Sequence, residues 1–446
     1  MKILLVSPPF GKGGQKSKGL PIAPPVLEYL AGLTEQVRPG TEVQLIDANI
    51  DDLDVEHIEA DLAGFTVLTP QASDAYRMSE SLRARGIKTV LGGMHVSNLP
   101  EEAARHADAV VIGEAEAVWA QVLEDACQNK LQTFYHGERV ELKNMPAPRT
   151  DLLKNRYIFG SFFTSRGCPY RCSFCSVHKF YGTTCRMRPI DEVVAEFAAS
   201  SWRHFWNIDD NIWGPDVNRS LELYREMSQN VKHKWWFGTG DIISVDHPKS
   251  GEMLKWAQRA GLTSVVVGWE TSNAQSLMEY NAFAKQGQNR VEALKKIRDA
   301  GIDVMLFIML GSRTDSLRDY ENVLKLCDSL NVSAHPVLAT TFPGTDLYEA
   351  YKPYILQDLE WDYYDGNHAI FAHDDPEMSV QAREDGLIRL RADLFTLPKI
   401  IRRLYPISLK GFPMSHISSF MVQFAQGRAF RQYARNYFAT QAKGRK

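Results

Sequence analysis

Cysteine is scarce in this chain: six among 446 residues, with three of the six inside one eight-residue stretch. A set so sparse and so clustered argues against a disulfide framework and for metal ligation in a reducing compartment. No apolar run approaches the ~18 residues that a spanning helix needs. The opening MKILLVSPPF holds too short an apolar run for a secretory signal before its two prolines. A cytoplasmic chain is the expectation. Neither sign of charge is in excess, and a net charge of −3 selects no class of partner. What the chain does have is the composition of globular proteins, 44% hydrophobic and 24% charged, which excludes a disordered or fibrous chain. A chain of this length is expected to divide into two or three domains.

Residues 1–140 alternate short β-rich runs with helical stretches, the rhythm of an α/β domain with a parallel sheet covered on both faces. Strands are predicted at 2–7, 42–47, 63–69, 88–92 and 109–113, with helices such as 24–37 and 73–85 between them. The expectation is a flavodoxin-like or Rossmann-like layer, whose ligand sits beyond the carboxyl ends of the strands. Those ends carry Pro8 and Pro9, then Thr66 and Leu68, then Gly92, Gly93 and His95, then Gly113 and Glu114. Paired glycines let a backbone approach a ligand closely, or they simply make tight turns. A proline-rich connection, residues 141–156, reads as a linker.

From 157 to 345 the alternation resumes at wider spacing. Strands are predicted at 159–165, 204–209, 235–239, 263–268, 303–310 and 332–339, with helices at 191–200, 217–229, 250–260, 290–300 and 317–330. Six βα repeats are too few for a closed eight-fold barrel, so an open partial barrel is expected, with its chemistry at the C-terminal strand ends. The first of those ends runs into Cys168, Cys172 and Cys175, a CxxxCxxC spacing. Three such thiols can hold three irons of a four-iron cluster and leave the fourth open to a small molecule. Alternatively His178 or Cys185 completes a four-ligand zinc site. Later ends present the Asp209–Asp210 pair, Asp241, then Gly268, Glu270 and Thr271, and finally Arg313. Asp209 and Asp210 either hold a cationic group or cap the helix ahead. An arginine at 313 is suited to clamp a carboxylate.

The cysteine run, the Arg166-Gly167 before it and the Arg186-Met187-Arg188-Pro189 after it resemble the cluster loop of the radical S-adenosylmethionine (SAM) superfamily. The resemblance implies a [4Fe-4S] cluster on Cys168, Cys172 and Cys175, with SAM on the open iron and a 5′-deoxyadenosyl radical as product. It also implies that Phe174 lies near the adenine and that the Gly268–Thr271 run meets the ribose; Asp209, Asp210 and Arg313 are the further candidate SAM contacts, with Arg313 standing where related sequences more often show a glycine-proline turn. The first 130 residues, with PP, GGxH and GEAE at strand ends, resemble the cobalamin-binding domain found before some members of that superfamily. Pro8, Pro9, Thr66, Leu68, Gly92, Gly93, His95, Gly113 and Glu114 are then the candidate corrin contacts. The DxHxxG motif of methionine-synthase-type domains is missing from the loop after the first strand, so no lower cobalt ligand comes from there.

Together these resemblances imply a cobalamin-dependent methyltransferase acting on an unactivated carbon, served by an external electron donor such as flavodoxin or ferredoxin. A radical enzyme with another outcome, such as rearrangement, ring contraction or cyclisation, is the alternative. A zinc or iron–sulfur sensor is a third. A methylthiotransferase fits less well, because the first domain holds only Cys127 in place of three further cysteines. Residues 346–446 are expected to form a mainly helical domain. From residue 381 onward 13 Lys or Arg face 3 Asp or Glu, with aromatics interleaved. That stretch is either a packed lid with a solvated basic face or a peripheral contact with an anionic membrane. The expected substrate is a small molecule, a lipid or a tetrapyrrole-like compound, and no nucleic acid is expected.

Overall fold

The computed structural model describes residues 1–11, 22–51, 54–153, 157–282, 289–408 and 413–444. Its first sheet comprises β1 (Lys2–Ser7), β2 (Glu42–Asp47), β3 (Leu62–Thr66), β4 (Lys88–Gly92), β5 (Ala109–Gly113) and β6 (Phe134–Gly137). All neighbours are parallel, in the order β2-β1-β3-β4-β5-β6. The five expected strands are present. β6 is an addition: four residues pairing outside β5, too short to stand out as a strand in the sequence. One face packs Leu5, Val90 and Val111 against Leu27 and Trp119, and the other packs Leu4, Phe65 and Leu91 against Ala75 and Leu82. Strand order turns back between β1 and β3, and such a switch point opens a crevice at the carboxyl ends.

The second unit begins with β7 (Gly160–Phe162), followed by an antiparallel ribbon of β8 (Ser165–Arg166) and β9 (Arg186–Met187). The predicted strand 159–165 is thus broken in two, and the cysteine run lies in the loop that the ribbon closes. The sheet continues with β10 (His204–Asn207), β11 (Trp235–Gly240), β12 (Leu262–Glu270), β13 (Asp303–Leu310) and β14 (Ser333–Leu338). Its order is β14-β13-β12-β11-β10-β7, each strand beside its predecessor in the chain, which makes an open six-stranded parallel barrel. The outer face, including Val265, Val267, Leu306 and Ile308, is buried under the surrounding helices.

The chain then runs through short turns to three helices, Val380–Leu394, Leu397–Ser408 and Pro413–Gly444. Arg391, on the first of these, caps the exposed edge of the barrel by donating from Nε and Nη2 to Pro336 O at 3.0 and 2.9 Å. Buried Arg383 donates to Phe371 O, and Arg431 to Phe395 O. Several cations of the basic stretch are thereby used as internal props. Among the described residues no helix is long and apolar enough to cross a membrane.

Candidate active site

The cysteine loop is held from outside by backbone bonds. Ser173 N donates to Tyr280 O at 3.0 Å and Leu347 N to Ser173 O at 2.8 Å, while Ser173 Oγ donates to Glu279 O at 2.7 Å. Gly167, at φ 96°, turns the chain into the loop, and its N–H meets Asp210 Oδ2 at 2.9 Å. None of the three thiols is in a disulfide; Cys168 and Cys172 are buried and Cys175 is half-buried. Phe174 packs edge-on to Tyr280, with centroids 5.6 Å apart. Three thiols outside any disulfide on one anchored loop suit an iron–sulfur cluster. His178 lines a cleft together with Arg171 and Lys179 of this loop. Among the described residues no three His, Cys, Asp or Glu side chains are drawn together as a ready-made metal site.

Asp209 and Asp210 part company. Asp209 is buried, and its carboxylate accepts from Thr164 N at 2.6 Å, Ser165 N at 3.1 Å, Ser165 Oγ at 3.0 Å and the Thr164 hydroxyl. It fastens the break between β7 and β8 instead of facing an open site. Asp210 lines the large cleft described below. Asp241 ties the cysteine loop to the barrel, accepting from Tyr170 Oη at 3.1 Å and Asn211 Nδ2 at 2.7 Å.

At the end of β12 the pairing register slips between Gly268 and Glu270, and Glu270 stands at φ 63°. A non-glycine residue in that region stores strain of order 1–3 kcal/mol, a mark of functional positions. A Cβ at Gly268 would lie 2.5 Å from Glu270 Oε1, so a side chain there would displace the Glu270 carboxylate. Thr271 Oγ1 accepts from Asn273 N at 3.0 Å. Arg290, absent from the sequence-based site, stacks 3.5 Å over Trp269 between these residues. Arg313 is turned elsewhere: it pairs with Asp374 and lies over Tyr354.

The main cleft has an empty volume of about 1250 Å3 and is walled by both domains. Thr66, Leu68, Gly92, Gly93, Gly113 and Glu114 come from the first sheet, and Ser165, Arg166, Tyr181 and Asp210 from the barrel mouth. Its floor reaches Gly64, where a Cβ would stand 3.1 Å from Leu5 and 3.4 Å from Trp119. Gly93 has φ 108° and a Cβ there would meet Val67 O at 2.7 Å, so both close approach and conformation require glycine. A deep slot between sheet and helix, floored by a missing side chain, suits a large planar cofactor with a pendant tail.

Three candidates lie outside that cleft. Pro8 offers its carbonyl to Gln71 Nε2 at 2.7 Å and Pro9 follows it without lining the cleft. His95 is buried, with Nε2 3.1 Å from Tyr76 Oη and Nδ1 3.3 Å from Thr69 Oγ1, and its ring meets Trp361 edge-on at 4.9 Å. It braces the first domain against the C-terminal segment.

The residues that join the two halves are ones the sequence displayed without pairing. Buried Glu114, just past β5, accepts from both terminal nitrogens of Arg186, with Nη1 at 3.0 Å, and from Val140 N at 3.0 Å. Arg166 lies 3.5 Å from Glu114 and donates to Glu116 at 2.6 Å. The arginines flanking the cysteine run thus close on the GEAE run at the cleft's rim.

Fold and site define a two-cofactor radical enzyme, a B12-type sheet facing a cysteine-bearing partial barrel across a shared cleft. The B12 binding domain family matches residues 18–123 and the Radical SAM superfamily matches residues 162–327. The chain belongs to the radical SAM enzymes that carry a B12-binding domain. It is 26% identical over 382 residues to bacteriochlorophyllide d C-8(2)-methyltransferase of Chlorobaculum tepidum, covering 77% of this chain and 80% of that one. It is 25% identical to the anaerobic magnesium-protoporphyrin IX monomethyl ester cyclase of Rubrivivax gelatinosus, covering 78% of this chain and 70% of that one. The cobalamin-dependent radical enzyme OxsB with aqua-cobalamin bound superposes with a TM-score of 0.67 at 16% identity, covering 94% of this chain and 72% of that one.

Proposed function

We propose that this protein is a cobalamin-dependent radical SAM C-methyltransferase acting in the cytoplasm on a large, mainly apolar small molecule, tetrapyrrole-like or lipid. The observation that carries the reading is the cleft whose walls come from both domains, with Arg166, Phe180 and Tyr181, which flank the cysteine run, on the barrel's part and Gly92, Gly93 and Gly113 at the strand ends of the first sheet. When bound, the cofactors supply a hydrogen-abstracting 5′-deoxyadenosyl radical and a transferable methyl group. Cys168, Cys172 and Cys175 hold the cluster. Phe174, Asp210, Gly268, Glu270 and Thr271 hold SAM, and Thr66, Leu68, Gly92, Gly93 and Gly113 border the corrin. Leu68 is 43% exposed and offers an apolar surface at the cleft. The walls exclude water, which protects a radical from quenching. An external one-electron donor, such as flavodoxin or ferredoxin, completes the reaction.

The test is anaerobic purification with cobalamin, followed by reduction with SAM carrying a labelled methyl group and candidate tetrapyrroles or lipids. A retained corrin spectrum, 5′-deoxyadenosine release and label in the product are expected. The cyclase among the relatives supports a second reading, a radical reaction without methyl transfer. Corrin retention with deoxyadenosine but no label in any product would favour it.

A further inference from the structure

The last acidic residue of the chain is Asp393, and residues 394–446 hold ten Lys or Arg with no Asp or Glu among them. The whole chain carries −3, so this end runs against the charge of the rest. Three of the ten cations serve the fold. Lys399 pairs with Asp328 at 2.8 Å, buried Arg403 donates to Leu394 O at 2.7 Å, and Arg431 donates to Phe395 O. Arg402, Arg428 and Arg435 are exposed, and none of them pairs with a carboxylate among the described residues.

On the long helix Pro413–Gly444 two of these arginines belong to one exposed stripe. Met421, Ala425, Arg428, Gln432, Arg435 and Ala439 are all exposed and follow one another at steps of four and three, which puts them on a single helix face. Gln423, Gly427 and Ala434, on the other side of the helix, are buried. The helix before it, Leu397–Ser408, exposes Leu397 and Ile401, one turn apart, with Arg402 next in the chain. The two helices meet at Phe395: a Cβ at Gly427 would stand 2.4 Å from Phe395 O, the same oxygen that takes Arg431. Arg428, in the middle of the stripe, therefore adjoins the entry to the shorter helix. Large apolar side chains remain in solvent there, with Leu397 at 42%, Ile401 at 49% and Met421 at 59% exposure.

An anionic bilayer meets both components of this surface, its headgroup phosphates the guanidinium groups and its acyl boundary the apolar side chains. A nucleic acid would meet the cations and leave Leu397, Ile401 and Met421 in water. We propose that Leu397, Ile401, Arg402, Met421, Arg428 and Arg435 form an interfacial anchor that holds the protein on the surface of an anionic lipid bilayer. The contact lies on the bilayer and does not cross it, since among the described residues no helix is long and apolar enough to span. None of the six residues lines the main cleft, so the anchor goes beyond the proposed reaction and does not depend on its cofactors.

The experiment is flotation of the full chain with vesicles of phosphatidylcholine alone and of an equal mixture of phosphatidylcholine and phosphatidylglycerol. Wild type should float with the mixed vesicles at low salt and stay behind with phosphatidylcholine, and added salt should weaken the binding. Each cation near an anionic surface strengthens binding about fivefold, so an Arg402→Glu/Arg428→Glu/Arg435→Glu variant should lose about 100-fold or more in partition coefficient. Leu397→Ser/Ile401→Ser should lose about tenfold while keeping the salt dependence. A Lys255→Glu/Lys295→Glu/Lys325→Glu variant makes the same charge change on exposed sites of the helices Ser250–Arg259, Arg290–Asp299 and Leu317–Leu330. It should float like the wild type. All substituted side chains are exposed, and a thermal melt matching wild type shows that each variant is folded. Wild type that fails to float with the mixed vesicles at low salt, or an equal loss in the barrel-helix variant, would overturn the anchor. Wild type that binds a DNA duplex and neither kind of vesicle would assign the surface to nucleic acid instead.

Discussion

At the residue scale, adjacent carboxylates in this site do opposite jobs. Asp209 and Asp210 follow a strand, and neighbours on an extended chain point to opposite sides. One is consumed by four donors behind the cysteine loop and the other lines the cleft. The sequence displayed the pair and its strand-end position but not this division, because the partners of Asp209 lie about 45 residues away at Thr164 and Ser165. A second carboxyl of this kind is Glu28, buried in the helix Pro25–Val37 beside the residues that wall the cleft. Burial, with the charge of Glu196 nearby, pushes Glu28 up to about 8. Its folded value therefore lies above its unfolded one. The stability it contributes is complete below about pH 4.5 and is lost as pH rises through about 8. Glu28→Gln should match wild type in urea unfolding at pH 5 and exceed it by ~1–3 kcal/mol at pH 8.5. An identical pH profile for the two proteins would rule out a buried neutral Glu28.

At the scale of elements, the β8–β9 ribbon and the end of β5 behave as one device. Arg166 and Arg186 sit at the two ends of the loop that carries the cysteines, and Glu114 and Glu116 sit at the rim of the slot in the first sheet. An Arg-Gly before a cysteine run and a GEAE after a strand were both legible as motifs. Their pairing was not, since charge partners 50 and 72 residues apart leave no periodic trace. Breaking a buried ion pair leaves an uncompensated charge and costs about 3–5 kcal/mol. Glu114→Ala and Arg186→Ala should each destabilise the chain by an amount near the lower end of that range, and the double variant by much less than their sum. Faster hydrogen exchange at Val140, whose N–H bonds to Glu114 at 3.0 Å, should accompany both. Strictly additive unfolding energies would show that the two side chains act separately.

At the scale of the molecule, the parallel order of both sheets followed from the alternation of β-rich and helical runs, whereas the way they are strapped together did not. The segment between β14 and the helix Val380–Leu394 reads as an acidic, aromatic stretch with no periodicity, and in the fold it touches every other part. Leu347 N–H donates to Ser173 O in the cysteine loop and Leu338 N–H to Gly366 O at the barrel edge. Asp374 pairs with Arg313, so the strap also engages the arginine at the end of β13. Trp361 reaches the first domain, donating from N to Ser73 Oγ at 3.1 Å and from Nε1 to Glu102 Oε1 at 2.7 Å, with His95 edge-on to its ring. His95 was legible as a strand-end residue but serves this strap, because an aromatic partner 266 residues later claims its face. If the strap couples the two units, truncating its anchor should uncouple them. Trp361→Ala should cost about 3 kcal/mol and split calorimetric unfolding into an earlier first-domain transition and a later barrel transition. New proteolytic cleavage should appear near exposed Tyr354. Trp361→Phe, which keeps the ring contact with His95 but loses the bond to Glu102, should fall between the two. One unsplit transition in Trp361→Ala, with the wild-type cleavage pattern, would mean that the Glu114 and Arg186 clamp alone holds the halves in register.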